Sequence, residues 1–223
     1  FLVALLFVLQ ACGGGGSSSS DSDNDNNNNG GDDNNGASTT VEGRAIDGPL
    51  SGSLVFMDLN GNAIKDDNEP STTSDSEGYF SISTANLGDI SNAKLVVIGG
   101  TDTATNMVMD NLVLMSDIPA DLTQSVSVTP ISSIIASVDT AEEKAAVLSA
   151  LNIDKSLAEF LQMDPWALAV QGDVEGQRIQ QMSQKVAVMI TSVQSMAAVD
   201  ADLVTVSKDV FAAIAEEADE QDM

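Results

Sequence analysis

The chain has 223 residues, with 34 Asp and Glu against 8 Lys and Arg, which sets a net charge of −26. A surface of that sign repels nucleic acid and anionic lipid head groups, so direct binding to either is disfavoured. There is no histidine, which excludes His-based acid–base catalysis and His-ligated zinc or iron.

Phe1 to Leu9 is an unbroken apolar run, too short to span a bilayer and of the length of a signal-peptide core. The sequence starts at Phe1 with no basic segment before the run, so it reads as the remainder of a longer leader. The run ends in Leu9-Gln-Ala-Cys12, which resembles the lipobox of bacterial lipoproteins. The resemblance implies cleavage after residue 11, so that Cys12 becomes the lipidated first residue and membrane anchor. It also implies residence in the outer membrane where the cell has one, because Gly13 is not the aspartate that tends to hold lipoproteins at the inner membrane. The competing reading is an ordinary secretory signal with a cysteine near its cleavage site. Cys12 is the only cysteine, so no intramolecular disulfide can form.

Residues 12–38 have a different composition: a glycine run, a serine run, then Asp, Asn and Gly with no large apolar residue. Such a stretch cannot bury enough surface to offset the entropy of ordering it, and it reads as a tether of about 30 Å reach.

From residue 39 to residue 128 the pattern is of short β-prone runs separated by turn residues. The predicted strands are Val41–Ile46, Ser53–Met57, Tyr79–Ser83, Leu95–Ile98, Leu112–Met115 and Ser125–Val128. In Tyr79–Ser83, Phe80 and Ile82 fall on one face and Tyr79, Ser81 and Ser83 on the other, the alternation of a half-buried strand. A small antiparallel β-sandwich follows as the natural architecture.

Between the second and third of these strands lies Asp58-Leu-Asn-Gly-Asn-Ala-Ile-Lys-Asp-Asp-Asn-Glu69. Its oxygen side chains stand at the spacing by which a loop wraps one calcium ion. Asp58, Asn60, Asn62, Asp66 and Glu69 would offer side-chain oxygens and Ile64 a backbone carbonyl. Calcium takes six to eight hard oxygens, so mixed Asp, Asn and Glu suit it. Ala63 stands where such loops usually place glycine, and so it must adopt a strained backbone or a different turn. The competing reading is an Asx-rich turn that holds no metal.

The stretch Gly43 to Asp58, this loop, Glu69-Pro70, and Thr72 to Phe80 with its Asp75-Ser-Glu-Gly78-Tyr79 turn resemble prealbumin-like β-sandwich modules. Those include carboxypeptidase-regulatory-like domains and the B-type repeats of serine-aspartate adhesins. The resemblance implies a calcium-stabilised stalk, spacer or ligand-binding unit and no catalysis. Some related adhesins carry a Lys–Asn isopeptide bond, but nothing around Lys65 or Lys94 assigns one.

From residue 129 to residue 223 the texture is helical. Thr129-Pro130 opens a helix through Val138, and the capping box Thr140-Ala-Glu-Glu143 opens one through Leu151. Asp154 is read as the cap of a third helix through Met163, and Asp164-Pro165 opens a fourth that contains Trp166. A long helix runs from Val174 to Val199, and Thr205 or Ser207 caps a last one through Ala218. Ile179, Met182, Val186, Met189, Val193 and Met196 read as the inner face of a helical bundle, with an oligomer seam or a Met-rich partner groove as the alternative. Trp166 reads as a core anchor rather than a sugar-stacking platform. Gly99–Thr105, Val128–Ser133, Ala150–Ile153 and Asp164-Pro165 are similar to a helical extension found after such modules in secreted proteins of marine bacteria. The fold class expected is therefore segregated α+β, a β-sandwich followed by a helical bundle.

No nucleophile elbow or phosphate loop is present, the one thiol, Cys12, is expected to carry lipid, and Ser91-Asn-Ala-Lys94 lacks the partners of a serine–lysine enzyme. A glycosidase-type carboxylate pair would need aromatic cleft walls, and aromatic residues are only 4% of the chain. The reading is non-catalytic: a lipid-anchored envelope protein whose β-module binds a glycan or protein ligand or acts as a spacer, with calcium as its cofactor. The alternative is an accessory subunit that docks through its helices. The acidic end, Glu216 to Met223, reads as a tail or as a second truncation.

Overall fold

The computed structural model describes residues 40–196 and 202–221. Residues 1–39, and with them the predicted leader, Cys12 and the predicted tether, lie outside the described residues.

Ten strands precede six helices among the described residues. The strands are β1 (Thr40–Ala45), β2 (Leu50–Ser51), β3 (Leu54–Asp58), β4 (Ser71–Thr73), β5 (Tyr79–Ser83), β6 (Lys94–Ile98), β7 (Thr101–Asp102), β8 (Met107–Val108), β9 (Val113–Asp117) and β10 (Val126–Val128). The helices are α1 (Pro130–Ala136), α2 (Ala141–Ala150), α3 (Leu157–Gln162), α4 (Pro165–Val170), α5 (Val174–Met196) and α6 (Leu203–Gln221). The class is α+β. The strands form three open sheets, ordered β4-β3-β6-β9, β10-β1-β5 and β2-β7-β8, and none closes into a barrel.

The four-stranded sheet is antiparallel throughout. Its long strands are apolar on both faces: Val55, Phe56 and Met57 of β3 and Leu95, Val96 and Val97 of β6 are all buried. Continuous apolar runs of this kind suit strands covered on both sides, whereas β5 keeps the predicted alternation with Phe80 and Ile82 inside. The expectation of purely antiparallel pairing fails at one place. The first and last strands, β1 and β10, pair in parallel, Gly43 facing Val126 and Ala45 facing Val128. A parallel pair needs a long crossover, and all of β2 to β9 supplies it. Gly43 is required there, because a Cβ would collide with the Phe80 ring and the Val126 carbonyl.

Helix α1 joins the sheets to the helices. Every one of its residues is buried. Thr129 caps it as predicted, with Ser132 completing the capping box. Strand β9 is the edge of its sheet, and the Met115 N–H and C=O face away from β6. Ser133 Oγ accepts the Met115 N–H at 2.8 Å, and Ser132 Oγ donates to the Met115 carbonyl at 2.8 Å. The apolar core is continuous across both parts of the chain, from Val41 and Phe56 through Ile131 and Ile135 to Ile190 and Phe211.

Three helical expectations are corrected. The cap of α3 is Ser156, not Asp154, because Ser156 and Glu159 form a reciprocal capping box. The first turn of α6 is held by Asp202, which accepts the Val204 N–H and the Thr205 hydroxyl, while Ser207 is buried inside the helix. The inward stripe of α5 is Ile179, Ser183, Val186, Ala187, Ile190 and Gln194, whereas Met189, Val193 and Met196 are exposed. Trp166 is half-buried.

Replacing Ser133 by Ala leaves the Met115 N–H buried without an acceptor. The expected cost is roughly 1–3 kcal/mol in urea unfolding followed by Trp fluorescence. Ala at Gly88, where a Cβ meets nothing within 4 Å, is the control.

Candidate functional site

The predicted ligand loop leaves the end of β3 and returns into β4, so the sheet fixes both of its ends. Asp58 and Glu69 are buried, at 2% and 4% exposure. Asp58 Oδ1 accepts the Gly61 N–H at 2.7 Å, and Oδ2 accepts the Ala63 N–H at 2.7 Å. Glu69 reaches back across the loop, Oε1 accepting from Leu59 N at 2.7 Å and Oε2 from Asp66 N at 3.0 Å. Asn60 and Asn62 form Asx turns and also donate their side-chain amides to Asp66 Oδ2, at 2.7 and 3.1 Å. All five side chains named from spacing therefore join one hydrogen-bonded ring. Ile64 takes part through its backbone N–H, which donates to Asn62 Oδ1 at 2.6 Å, and its side chain is exposed. Helix α6 reaches the same loop, Lys208 Nζ donating to the Gly61 carbonyl at 2.9 Å.

Ala63 takes the strained option, with φ at +58°. Its methyl is buried in the core and its N–H is held by Asp58, which offsets the left-handed backbone. The turn before β5 is built the same way. Asp75 Oδ1 accepts from Glu77 N and Tyr79 N, and Gly78 sits at φ +84° with no room for a Cβ beside the Ala45 carbonyl.

The donor chemistry of the loop suits a hard cation: three carboxylates, two amide oxygens and a backbone carbonyl. The carboxylates alone are not a preformed cage. Among the described residues no group of three or more His, Cys, Asp or Glu side chains is gathered to hold a metal ion. Asp58, Asp66 and Glu69 are held apart by backbone N–H groups and Asn amides. Cys12, the predicted lipid site, lies outside the described residues.

A second polar centre was not foreseen. Asp47, in the turn between β1 and β2, and Asp102 of β7 are both buried. Asp102 is satisfied by the Ala104 N–H at 2.9 Å and the Thr105 hydroxyl at 2.6 Å. Asp47 is not: its backbone carbonyl accepts from Gln180 Nε2 of α5, but its Oδ1 is buried without a hydrogen-bond partner. Both line a cavity of about 730 Å³ between the β7–β8 hairpin and α5. In the sequence Asp47-Gly48-Pro49 reads only as a turn, and nothing local says that Asp102 closes over it.

Burial first, and the Asp102 carboxylate second, push the Asp47 carboxyl up to about 7. The unfolded chain releases this proton near the ordinary value of 3.8, so between the two values the folded state holds more proton. Stability from this group is fully present below the ordinary value and is lost as pH rises through about 7. No family model, characterised protein or solved structure matches this chain. The likeness to prealbumin-like modules thus stands as an expectation drawn from its own residues.

Asp47→Asn is expected to remove that loss and to leave the protein more stable than the parent at about pH 8, by roughly 2–4 kcal/mol. Urea unfolding at a series of pH values checks this, and parallel curves for the two proteins would contradict it.

Proposed function

We propose that this chain is a cell-envelope lipoprotein, anchored through Cys12. Its folded part is a non-catalytic, calcium-stabilised β-sandwich module followed by a helical domain, and it binds an extracellular glycan or protein or acts as a spacer. The observation that carries the reading is the loop from Asp58 to Glu69. Five oxygen-bearing side chains at calcium-loop spacing occupy one ring between two strand ends. Bound calcium would supply positive charge to a site whose three carboxylates otherwise depend on N–H donors. Three carboxylates with two neutral amides belong to the weak, extracellular class of site, with dissociation constants of about 10⁻⁴ to 10⁻³ M.

The ring also contacts the helical part through Lys208, so ordering the loop steadies both the sheet and α6. The long acidic tether reads as the spacer between the anchor and this unit. Outer-membrane residence follows from Gly13 in the same reading.

A second reading, an accessory subunit docking through its helices, is favoured by the apolar residues exposed on α5, namely Val188, Met189, Val193 and Met196. Pull-down from native envelopes separates the two. An accessory subunit retains a stoichiometric partner, and a variant with charged residues at Met189 and Val193 loses it.

Against dissociation constants of about 10⁻⁴ to 10⁻³ M, calcium at about 10 mM is expected to add about 1.4–2.7 kcal/mol to stability. The melting temperature of the chain should therefore rise from chelator to millimolar calcium, and should not rise in Asp58→Ala/Glu69→Ala. Equal shifts in both proteins would reduce the loop to a turn. Separately, Cys12→Ser should abolish incorporation of labelled fatty acid and move the protein from the membrane fraction to the soluble one.

A further inference from the structure

The cavity between the β7–β8 hairpin and α5 has the size of a small-molecule site, about 730 Å³. Met107, Val108, Met109 and Leu112 wall one side and Ala187 and Val188 the other. Its charged lining is of one sign: Asp47, Asp102 and Asp110, with no Lys or Arg. Two lining residues that are more than nine-tenths buried, Asp47 and Gln194, each keep an oxygen without a hydrogen-bond partner, Asp47 Oδ1 and Gln194 Oε1. The amide nitrogen of Gln194 is already committed to the Asn111 carbonyl at 2.8 Å and Ser207 Oγ at 2.9 Å, so its oxygen has to accept from elsewhere. Hydroxyls on the wall are also spent, Thr105 on Asp102, Thr191 on the Ala187 carbonyl and Ser195 on the Ser192 carbonyl. The cavity therefore lacks positive charge, its remaining side-chain donors are the amides of Asn111 and Gln184, and neither of these satisfies Asp47 Oδ1 or Gln194 Oε1.

We propose that this cavity binds a small organic ammonium ion, a protonated amine carried on an apolar chain or ring. The ammonium supplies N–H donors and one positive charge to the Asp47 end, and the apolar body lies between the hairpin and α5. An anion is repelled by the Asp102 and Asp110 carboxylates, and by Asp47 once it has lost its proton. A bare metal ion leaves the apolar walls unused, and its oxygen ligands would have to come from a set that holds no cluster of three acidic side chains among the described residues. Strands β7 and β8 pair through only two residue pairs, and Met107 and Val108 are exposed on them. Asp47 Oδ1 is covered in this structure, so on this proposal the head group reaches it only if the short hairpin lifts.

The test is calorimetric titration of the full chain with n-hexylammonium and with phenethylammonium, against hexanol and hexanoate as neutral and anionic counterparts. Salt is kept at about 0.15 M so that general attraction to the acidic surface is screened. The expected result is saturable one-to-one binding of at least one ammonium, at least about tenfold tighter than hexanol, and none of hexanoate. Asp47→Asn is expected to erase the preference for ammonium over alcohol. Val188→Trp, at an exposed helical position where the fold tolerates bulk, is expected to fill the cavity and abolish binding with an unchanged circular dichroism spectrum. Failure of both ammonium probes to bind overturns the proposal. So does equal affinity for ammonium and alcohol, or binding that survives Val188→Trp, which would place the cation elsewhere on the surface.

Discussion

The structure depends most on how one sheet edge is closed. Strand β9 ends the four-stranded sheet, and an edge strand presents backbone groups that must find partners. Here the partners are side chains: Ser132 and Ser133 of α1 satisfy both the N–H and the C=O of Met115. Because those serines hang from a fully buried helix, closing the edge also seats α1, and α1 in turn packs against α2, α5 and α6. Serine is a poor residue for a helix interior in general. It is tolerated twice in succession because each hydroxyl does work that no apolar residue of that size could do. A single core across strands and helices follows from that junction.

Charge is organised by the same economy. With so few basic residues in so acidic a chain, most serve as ties between elements distant in sequence, although Lys65 donates only to the neighbouring Asp66 carbonyl. Arg44 of β1 pairs with Asp164 at the cap of α4, at 2.7 Å, while stacking over the Tyr79 ring. Lys94 of β6 and Lys144 of α2 converge on Asp117 at the end of β9, at 2.5 and 2.7 Å. Arg178 of α5 donates to the Leu151 and Asn152 carbonyls after α2, and Lys208 of α6 to the loop after β3. Exposed contacts contribute little, but the Arg44, Lys94 and Lys144 pairs are partly buried, and each fixes a strand against another strand or a helix. The carboxylates are left in excess, and some of them build the two polar centres, the oxygen ring at Asp58–Glu69 and the cavity lined by Asp47, Asp102 and Asp110.

Much of this was legible locally. The alternation of Tyr79–Ser83, the capping box at Thr140 and Glu143, and the Asp164-Pro165 helix start each depend on neighbours within a few residues, and each appears as read. The ring of Asp58, Asn60, Asn62, Asp66 and Glu69 was visible for the same reason, since a loop brings its own side chains together. The readings that failed concern choices among equivalent local signals. Ser156 rather than Asp154 caps α3 because Glu159 is in reach to reciprocate. The stripe of α5 that faces inward is set by what packs on it, and apolar periodicity cannot tell Met189 outside from Ile190 inside. The short strands β2, β4, β7 and β8 carry too few residues for any period to show.

The sequence by itself determined the class, α+β with strands before helices, together with the positions of most caps and turns and the membership of the oxygen ring. These are fixed by steric and hydrogen-bonding preferences that act over a few residues. Tertiary structure alone decided the parallel pairing of β1 with β10, the closing of the β9 edge by Ser132 and Ser133, and the burial of Asp47 against Asp102. Each of those joins residues far apart in the chain, and a contact of that kind is selected by the total packing of the core rather than by any signal at either end.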